Sequence, residues 1–280
     1  MPTAYPPNTL VTVAPTGAET AKDDVPQLPT TLDELIAEAI ACEAAGAGLI
    51  HVHVRDADHR PTLDPVRLRD TVAALRESTD LVVQLSTGGS VHDPLAARLA
   101  VLDAAPDSCS ITCGTTNFGD DVFLNPWPFV VELFERARDA HVVPEFELFD
   151  LGHVQALHRL LDTCGLPWGG RVHCDFVLGV PGGMPGTVAA LVAGVAALPA
   201  AVTSWSATGI GRSHLPVAAA TLALGGHLRV GMEDNLVYAR GRAVRSNVEL
   251  VERAARLAAE LQRPVLTTAG ARELLGLGVS

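Results

Sequence analysis

Short apolar runs of strand length alternate with longer amphipathic runs of helix length along the chain. The first pair sets the pattern: residues 9–14 (TLVTVA) predict a strand, and residues 30–45 predict a helix. Thr30 or Thr31 is suited to cap that helix, and Gly46 to stop it. The other predicted strands are 49–54, 81–86, 108–112, 142–149, 171–178, 202–208 and 228–231. The other predicted helices are 65–78, 94–104, 126–140, 151–163, 187–198, 215–224 and 245–261.

Eight strand-then-helix units of about 30 residues each indicate an α/β fold with right-handed parallel crossovers. Eight such units predict closure into a (β/α)8 barrel, the TIM barrel, with a doubly wound open sheet as the main alternative. Neither a linker nor a low-complexity tract interrupts the pattern, so residues 1–280 are expected to form a single domain. Residues 2–7, rich in proline, predict an extended arm.

The amino-acid composition limits the classes of function that this chain can have. Apolar residues make up 48% of the 280 positions, which argues against disorder. The formal net charge of −12 disfavours binding to nucleic acid, although a local arginine cluster could still hold an anionic cofactor. Five cysteines, an odd number without a C-x-x-C pair, favour buried reduced thiols and a cytoplasmic protein. The chain shows neither a signal peptide nor a membrane-length apolar run, so it is expected to be soluble and unprocessed.

A histidine pair and a distant acidic pair carry the first chemical signal. His51 and His53 are two apart on a predicted strand, so their imidazoles face the same side. Glu233, just beyond the last predicted strand, could add an oxygen ligand, because two His and one carboxylate form a known catalytic zinc set. The adjacent Asp234 would be free for acid–base work, oriented by Arg229. Polar filling of a barrel layer and a solvated or helix-capping loop are the alternatives.

Three further segments follow predicted strands. Residues 86–89 (STGG) offer hydroxyls and backbone N–H groups to a carboxylate or carbonyl oxygen, or form a plain turn. Glu145 and Glu147 share one strand face, either as functional carboxylates or as salt-bridge partners. Residues 179–186 (GVPGGMPG) could wrap a CoA arm or form a tight turn, and Arg212 could meet a phosphate. The carboxyl ends of barrel strands meet at one mouth, so all these clusters are expected to converge there.

These motifs resemble the family of β-keto acid cleavage enzymes, in the expected order and over nearly the whole chain. The stretches that carry the resemblance are GAET (17–20), IHVHVRD (50–56), QLSTGG (84–89), GTTNFGDD (114–121), VVPEFE (142–147), FVLGVPGGMPG (176–186), GIGR (209–212) and GGHLRVGMEDN (225–235). The resemblance implies a (β/α)8 barrel, a Zn²⁺ ion, acetyl-CoA as co-substrate and a homotetramer. It assigns the zinc ligands His51, His53 and Glu233, the base Asp234 with Arg229, and the active-site carboxylate Glu147.

The resemblance also implies substrate contacts. Ser86 and Gly89 correspond to substrate-binding positions, and Glu19 to the acid that meets a substrate ammonium group. Ser110 stands where a threonine is expected and keeps the hydroxyl, so it too is a candidate substrate contact. Ser213 replaces an expected bulky aromatic residue, which alters the expected pocket.

The implied reaction converts a β-keto acid and acetyl-CoA into acetoacetate and a new acyl-CoA. The expected substrate is 3-keto-5-aminohexanoate, an intermediate of lysine fermentation, and the expected product 3-aminobutyryl-CoA. Three other interpretations remain at this stage: cleavage of a different β-keto acid, a zinc-dependent aldolase or hydrolase on the same barrel, and a metal-stabilised scaffold or binding protein without catalytic activity.

Overall fold

Eight parallel strands close into a barrel at the centre of the protein. The computed structural model describes residues 7–278. Each barrel strand pairs with the barrel strands before and after it in sequence, and the last closes on the first. The barrel strands are β1 (Val11–Val13), β2 (Leu49–Val52), β3 (Val82–Leu85), β4 (Ser108–Thr112), β7 (Val143–Leu148), β8 (His173–Leu178), β9 (Ser204–Gly209) and β10 (His227–Val230). The predicted (β/α)8 barrel is confirmed, and the open sheet is excluded.

Helices connect successive strands and pack outside the barrel. They are α1 (Leu32–Ala44), α2 (Pro65–Ser78), α3 (Leu95–Ala100), α4 (Trp127–Asp139), α5 (Leu151–Cys164), α6 (Val188–Ala197), α7 (His214–Ala223) and α8 (Asn247–Glu260). Local sequence explains where they begin: Asp64 and Asp150 accept backbone N–H groups at the starts of α2 and α5. Within residues 7–278, every helix falls short of the length and apolar character that a membrane crossing requires.

The capping box of α1 shows how closely the sequence fixes these ends. The Thr31 hydroxyl accepts the N–H of Glu34, and the Glu34 carboxylate accepts the N–H of Thr31 and of Thr30. Lys22 donates a hydrogen bond of 2.7 Å to the same carboxylate. The predicted caps are therefore confirmed, with Thr31 at the N-cap position.

The barrel interior is polar above an apolar base. Following the strand register around the barrel, His51, Ser110, Asp175 and Arg229 come from alternate strands and lie in one inward-facing layer. Below them, at the amino ends of the strands, Leu10, Leu49, Val82 and Val143 pack against a ninth helix, α9 (Thr268–Leu275). The base is thus closed by apolar contacts, and polar chemistry is placed toward the opposite end.

Three features differ from the sequence prediction. The helix predicted at 94–104 is split, since α3 gives way to a 3-10 helix (Val101–Ala104) that ends at Ala105 with φ +50°. Two short hairpins were missed, β5 (Thr116–Phe118) with β6 (Asp121–Phe123) and β11 (Val237–Ala239) with β12 (Arg242–Ala243). Helix α9 was missed as well, and the predicted arm at 2–7 lies, except for Pro7, outside the described residues.

Replacing Glu34 by glutamine should reduce the loss of thermal stability on acidification. Burial raises the pKa of Glu34, but Lys22 and the N–H groups of Thr30 and Thr31 together lower it to about 2, below its ordinary 4.5. Because the folded pKa is the lower one, this carboxylate stabilises the fold above about pH 4.5 and loses that contribution between about pH 4.5 and 2.

Melting temperatures of the wild type and Glu34→Gln at pH 7, 4.5 and 3 would measure the effect. Glutamine preserves the capping geometry and removes the charge, so the variant should show the shallower decline. The matched control is Glu77→Gln, because Glu77 is exposed on α2 and makes no hydrogen bond or ion pair with other residues in the range 7–278. Equal declines in all three proteins would refute the assignment.

Candidate active site

A cavity of about 240 Å³ opens at the carboxyl ends of the barrel strands. Its lining comes from the loops that follow β1, β3, β8, β9 and β10, together with the β5–β6 hairpin. Residues that the sequence analysis singled out lie along this lining: Glu19, His53, Ser86, Gly89, Glu147, Arg229, Glu233 and Asp234. The mouth of the barrel therefore gathers side chains that are up to 215 positions apart in the chain (19 to 234).

His51, His53 and Glu233 meet at the floor of the cavity. One ligand atom from each lies within 4.8 Å of the other two, the kind of spacing that permits one shared ion. His51 Nε2 is 3.8 Å, and His53 Nε2 3.6 Å, from Glu233 Oε1. The second carboxylate oxygen, Oε2, is buried and makes no hydrogen bond to other described residues. A buried carboxylate oxygen without a donor is a fit for a cation.

The hydrogen bonds of His51 prepare it for metal binding. Its Nδ1 lies 2.5 Å from Gln84 Oε1, and Gln84 donates from Nε2 to Ser108 at 3.1 Å. The amide of Gln84 thus offers its oxygen to Nδ1–H, which leaves the lone pair on Nε2 facing Glu233. Burial lowers the pKa of His53 to about 4 although Glu233 opposes this, so its imidazole is neutral at pH 7. Neutral imidazoles are what a Zn²⁺ site needs.

Arg229 joins three carboxylates beneath the mouth. It donates from Nε to Asp234 Oδ2 and from Nη2 to Asp234 Oδ1, both at 3.1 Å. Nη1 donates to Glu147 at 3.1 Å, and Nη2 also contacts Glu233. Arg229 is 4% exposed and Asp234 5% exposed, so this network is almost dry. Three carboxyl groups against one guanidinium leave an excess of negative charge, which favours a cation.

The surroundings of Glu233 and Asp234 give these neighbouring carboxyl groups very different pKa values. Burial raises the pKa of Asp234 to about 7, with Glu233 adding to the rise and Arg229 opposing it. For Glu233 burial also raises the pKa, but Arg229, His53 and His51 together lower it to about 2. One carboxyl is thus held as a permanent anion, and its neighbour has a pKa suited to exchanging protons near neutral pH.

Backbone turns hold the Glu233 carboxylate in place. Met232 N donates to Asn247 Oδ1 at 2.7 Å, and Glu233 N to Ala14 O at 3.2 Å. Gly17 (φ +65°) lies against Glu233: a Cβ at this position would come within 2.6 Å of Glu233 Cγ. A side chain at residue 17 would therefore displace the proposed metal ligand.

The predicted substrate-binding residues occupy different depths. Ser86 and Gly89 line the cavity, and the Ser86 hydroxyl accepts the N–H of Gly88 at 3.1 Å. Glu19 lies at the exposed rim. Ser110 is 1% exposed and lies below the cavity, in the layer of His51, so its role as a substrate contact stays a prediction. Ser213 packs behind the 179–186 loop, where a Cβ at Gly186 would come within 1.9 Å of its hydroxyl oxygen.

An aromatic wall covers one side of the mouth. Phe118 and Phe123 of the β5–β6 hairpin lie 6.2 Å apart in an edge-to-face arrangement, and Phe118 contacts Phe149 at the same distance. The hairpin is fixed to the 179–186 loop through Gly119 N, which donates to Pro181 O at 3.0 Å. This loop and hairpin together exclude water from one side of the cavity.

Comparisons with known proteins agree with this geometry. Residues 8–277 match the sequence profile of the β-keto acid cleavage enzymes. The chain belongs to this family. It is 37% identical over 270 residues to a 3-keto-5-aminohexanoate cleavage enzyme of Acetoanaerobium sticklandii, covering 96% of this chain and 98% of the relative. It is 35% identical to a 3-oxoadipate:acetyl-CoA acetyltransferase of Cupriavidus necator, over 96% and 94% of the two chains.

Solved structures support the fold of this β-keto acid cleavage enzyme. The ternary complex of ObcA with a C4-CoA adduct and oxalate superposes with a TM-score of 0.80 at 21% identity. It covers 90% of this chain and 68% of ObcA. At that identity the likeness concerns the barrel alone. Family membership excludes the catalytically inactive scaffold considered from the sequence.

Sequence reasoning missed several residues that support the site of this family member. Gln84 interrupts an otherwise apolar strand, one strand away from the histidine pair, and that interruption was the available signal. Arg55 is 5% exposed and donates to Gly17 O at 2.6 Å and to Thr20 O at 3.0 Å, so it shapes the loop that carries Glu19. Nothing local distinguishes Asn247, whose partner Met232 is 15 positions away.

The other residues considered in the sequence analysis, Glu145 and the cysteines, lie away from the mouth of the barrel. Glu145 and His173, one step deeper, form a buried pair with Glu145 Oε2 3.3 Å from His173 Nε2, the salt bridge that the sequence left open. All five cysteines are free, and four are buried. Burial raises the pKa of Cys109 and Cys113 above the ordinary thiol value, which disfavours a thiolate nucleophile.

Replacing Gln84 by leucine should weaken binding of a divalent cation by about 10- to 100-fold, because His51 loses the acceptor that fixes its tautomer. The dissociation constant for Zn²⁺ can be measured by competition with a chromophoric chelator. Gln84→Glu restores an acceptor for Nδ1–H and should retain affinity near the wild-type value.

Gln155→Leu is the matched control, since Gln155 is exposed on α5. Circular dichroism should show all variants folded. An unchanged Zn²⁺ affinity in a folded Gln84→Leu protein would contradict this role for the glutamine.

Proposed function

We propose that this protein is a zinc-dependent β-keto acid cleavage enzyme. It transfers the acyl group of its β-keto acid substrate to the CoA that acetyl-CoA supplies. The observation that carries the proposal is the meeting of a two-His, one-Glu donor set with the dry Arg229–Asp234 pair at one barrel mouth. Relatives named for cleavage of 3-keto-5-aminohexanoate and for acetyl-CoA-dependent acetyl transfer support it. Residues 1–280 are proposed to form one catalytic domain.

His51, His53 and Glu233 would hold the Zn²⁺ ion. When bound, Zn²⁺ would act as a Lewis acid that polarises the keto group of the substrate. The three residues leave one side of their cluster open to the cavity, where His53 and Glu233 are part of the lining. Arg229 keeps the Glu233 carboxylate aimed at the two imidazoles.

Asp234 is the proposed base. Its pKa of about 7 matches proton abstraction from the carbon between the keto and carboxylate groups near neutral pH. The paired hydrogen bonds from Arg229 fix the orientation of both oxygens. Glu147 shares Arg229 and accepts a hydrogen bond from Thr112 at 2.8 Å, which holds the guanidinium from its other side.

Ser86 and the Gly88–Gly89 backbone are the proposed anchor for the substrate carboxylate. The Ser86 hydroxyl accepts from Gly88 N, so its own proton is free to donate into the cavity. Gly89 takes φ +56°, and a Cβ there would come within 2.3 Å of an Asp93 carboxylate oxygen. Ser110 would support this strand end from below.

The proposed reaction forms one carbon–carbon bond and then breaks another. After deprotonation, the substrate carbanion attacks the acetyl carbonyl of acetyl-CoA, and CoA leaves as a thiolate. The thiolate then attacks the former keto carbon, and the bond between that carbon and the deprotonated carbon breaks. Acetoacetate and the new acyl-CoA are the products, so every atom of both substrates is accounted for. The Asp234 carboxyl, protonated in the first step, returns the proton to the carbon that becomes part of acetoacetate.

A panel of β-keto acids supplied with acetyl-CoA tests the reaction, with acetoacetate as the measured product. Activity should disappear on treatment with a chelator and return with Zn²⁺. Asp234→Asn should lower kcat by about 100-fold or more while the protein keeps its metal. Acetoacetate release that needs no acetyl-CoA would instead indicate an aldolase or hydrolase on this barrel.

Glu19 is proposed to select a substrate that carries an ammonium group. Its carboxylate lies at the rim of a cavity whose opposite wall is the aromatic cluster of Phe118, Phe123 and Phe149. A bound β-keto acid anchored at Ser86 would extend its far end toward this rim. We therefore propose 3-keto-5-aminohexanoate as the substrate, which would place the enzyme in lysine fermentation and give 3-aminobutyryl-CoA.

Glu19→Gln should raise the KM for 3-keto-5-aminohexanoate by about tenfold, through loss of a charge-assisted hydrogen bond. The KM for 3-ketohexanoate, which lacks the ammonium group, should stay within about twofold of the wild type. Asp23→Asn, a nearby exposed carboxylate that does not line the cavity, serves as the control. Equal changes for both substrates would argue against ammonium recognition by Glu19.

A homotetramer in the cytoplasm is proposed as the working form. The apolar helix α6 contains no charged residue, and it leaves Val188 and Val192 each 46% exposed. Leu215 at the start of the neighbouring α7 is 42% exposed. Exposed apolar side chains on two neighbouring helices are suited to contact between copies of the chain.

A further inference from the structure

Positive charge is concentrated in one segment of an acidic chain. The whole chain carries a formal charge of −12, yet residues 237–256 contain five arginines and two glutamates, a local charge of +3. The arginines are Arg240, Arg242, Arg245, Arg253 and Arg256. The segment comprises the β11–β12 hairpin and the first part of α8.

This segment lies beside the mouth of the barrel. It follows β10, so it is on the carboxyl side, where the cavity opens. The loop after β9 is tied to the start of the loop after β10, because Gly211 N donates to Asp234 O at 2.8 Å. Ile210 and Asp234 from these two loops line the cavity. Arg212 follows Ile210 by two positions, and Arg240 follows Asp234 by six, so two loops joined at the mouth lead to these arginines.

Two of the arginines hold the hairpin in a fixed position. The Tyr238 ring is contacted by the guanidinium carbons of Arg242 at 4.0 Å and Arg253 at 4.2 Å. Arg253 also donates to Tyr238 O at 2.6 Å, and Arg242 pairs with Glu249. These contacts occupy the guanidinium groups of Arg242 and Arg253, and they hold the hairpin in place.

Three other arginines are available for a ligand. Arg212, Arg240 and Arg245 are exposed. None of their guanidinium groups makes a hydrogen bond or an ion pair with another residue among positions 7–278. The planar donor sets of unpaired guanidinium groups match phosphate oxygens.

We propose that Arg212, Arg240 and Arg245 bind the phosphates of the CoA nucleotide. This rests on the proposed function, which makes acetyl-CoA a substrate. The seventh and eighth barrel strands are β9 and β10, and the loops after these strands are a frequent phosphate site in TIM barrels. The nucleotide would lie outside on the rim, and the pantetheine arm would pass Ile210 to bring the thioester to Asp234.

Calorimetric titration of the purified protein with CoA measures the site directly. Arg212→Ala and the double variant Arg240→Ala/Arg245→Ala should each weaken CoA binding by about tenfold, more at low salt than at high salt. Arg171→Ala is the matched control, because Arg171 is equally exposed and unpaired among the described residues but precedes β8 at the opposite end of the barrel.

Titration with 3′-dephospho-CoA separates the two phosphate sources. Weaker wild-type binding of this probe, with little further effect of the substitutions, would assign the arginines to the 3′-phosphate. Wild-type-like binding that the substitutions still weaken would assign them to the pyrophosphate. Variants that bind CoA as tightly as Arg171→Ala would overturn the proposal.

Turnover distinguishes failure of this site from failure of the proposed reaction. In the variants the KM for acetyl-CoA should rise about tenfold with kcat unchanged, while the KM for S-acetyl-N-acetylcysteamine, which lacks the nucleotide, should not change. Equal KM changes for both thioesters would count against a phosphate site. A wild type that forms no acetoacetate from acetyl-CoA would refute the reaction, and the CoA titrations would still decide the role of the arginines.

Discussion

One buried guanidinium determines how the mouth of this barrel is built. Arg229 contacts Glu147, Glu233 and Asp234; Arg229, Glu147 and Asp234 are buried, and Glu233 is partly exposed to the cavity. Without the arginine, the three neighbouring carboxyl groups would lack the positive charge that pairs them. With it, an excess of negative charge still remains, which favours a cation. The same residue thus contacts the proposed metal ligand Glu233 and the proposed base Asp234, so a substitution of Arg229 would alter both.

The two ends of the barrel differ: apolar packing at the amino end stabilises the fold, and the carboxyl end carries the candidate active site. At the amino end, Leu10, Leu49, Val82 and Val143 pack on α9 and form a small apolar core of their own. Above it, polar side chains fill the interior. Gln84 contacts His51 and donates to Ser108, whereas Glu145 lies 3.3 Å from His173 and its oxygens have no hydrogen-bond partner among the described residues. A polar interior is costly to assemble, and the apolar base and the outer helices supply the burial that offsets it.

Strict alternation of strands and helices predicted a parallel sheet, and the count of eight units favoured a closed barrel over a doubly wound open sheet. The site could be located for a related reason, since the carboxyl ends of barrel strands converge whatever their separation in sequence. Contacts between loops were beyond such reasoning. Neither the β5–β6 hairpin nor the bond between Met232 and Asn247 has a periodic signal. Helix α9 spans only eight residues, although Thr267 caps its start and Gly276 its end. The sequence also does not show how deep a residue lies in the barrel. The prediction therefore grouped Ser110 with Ser86, although Ser110 lies one layer below.

Closure of the barrel joins the earliest and latest parts of the chain. Strand β1 pairs with β2 on one side and with β10 on the other, and Thr9 bonds to Pro264 and Leu266 across about 255 positions. During synthesis on the ribosome, β1 therefore keeps one unpaired edge until the final strand has emerged. An incomplete sheet with open edges is prone to pair with other chains. The nascent protein is consequently most exposed to aggregation just before its end is made, and chaperone binding in that interval would protect it.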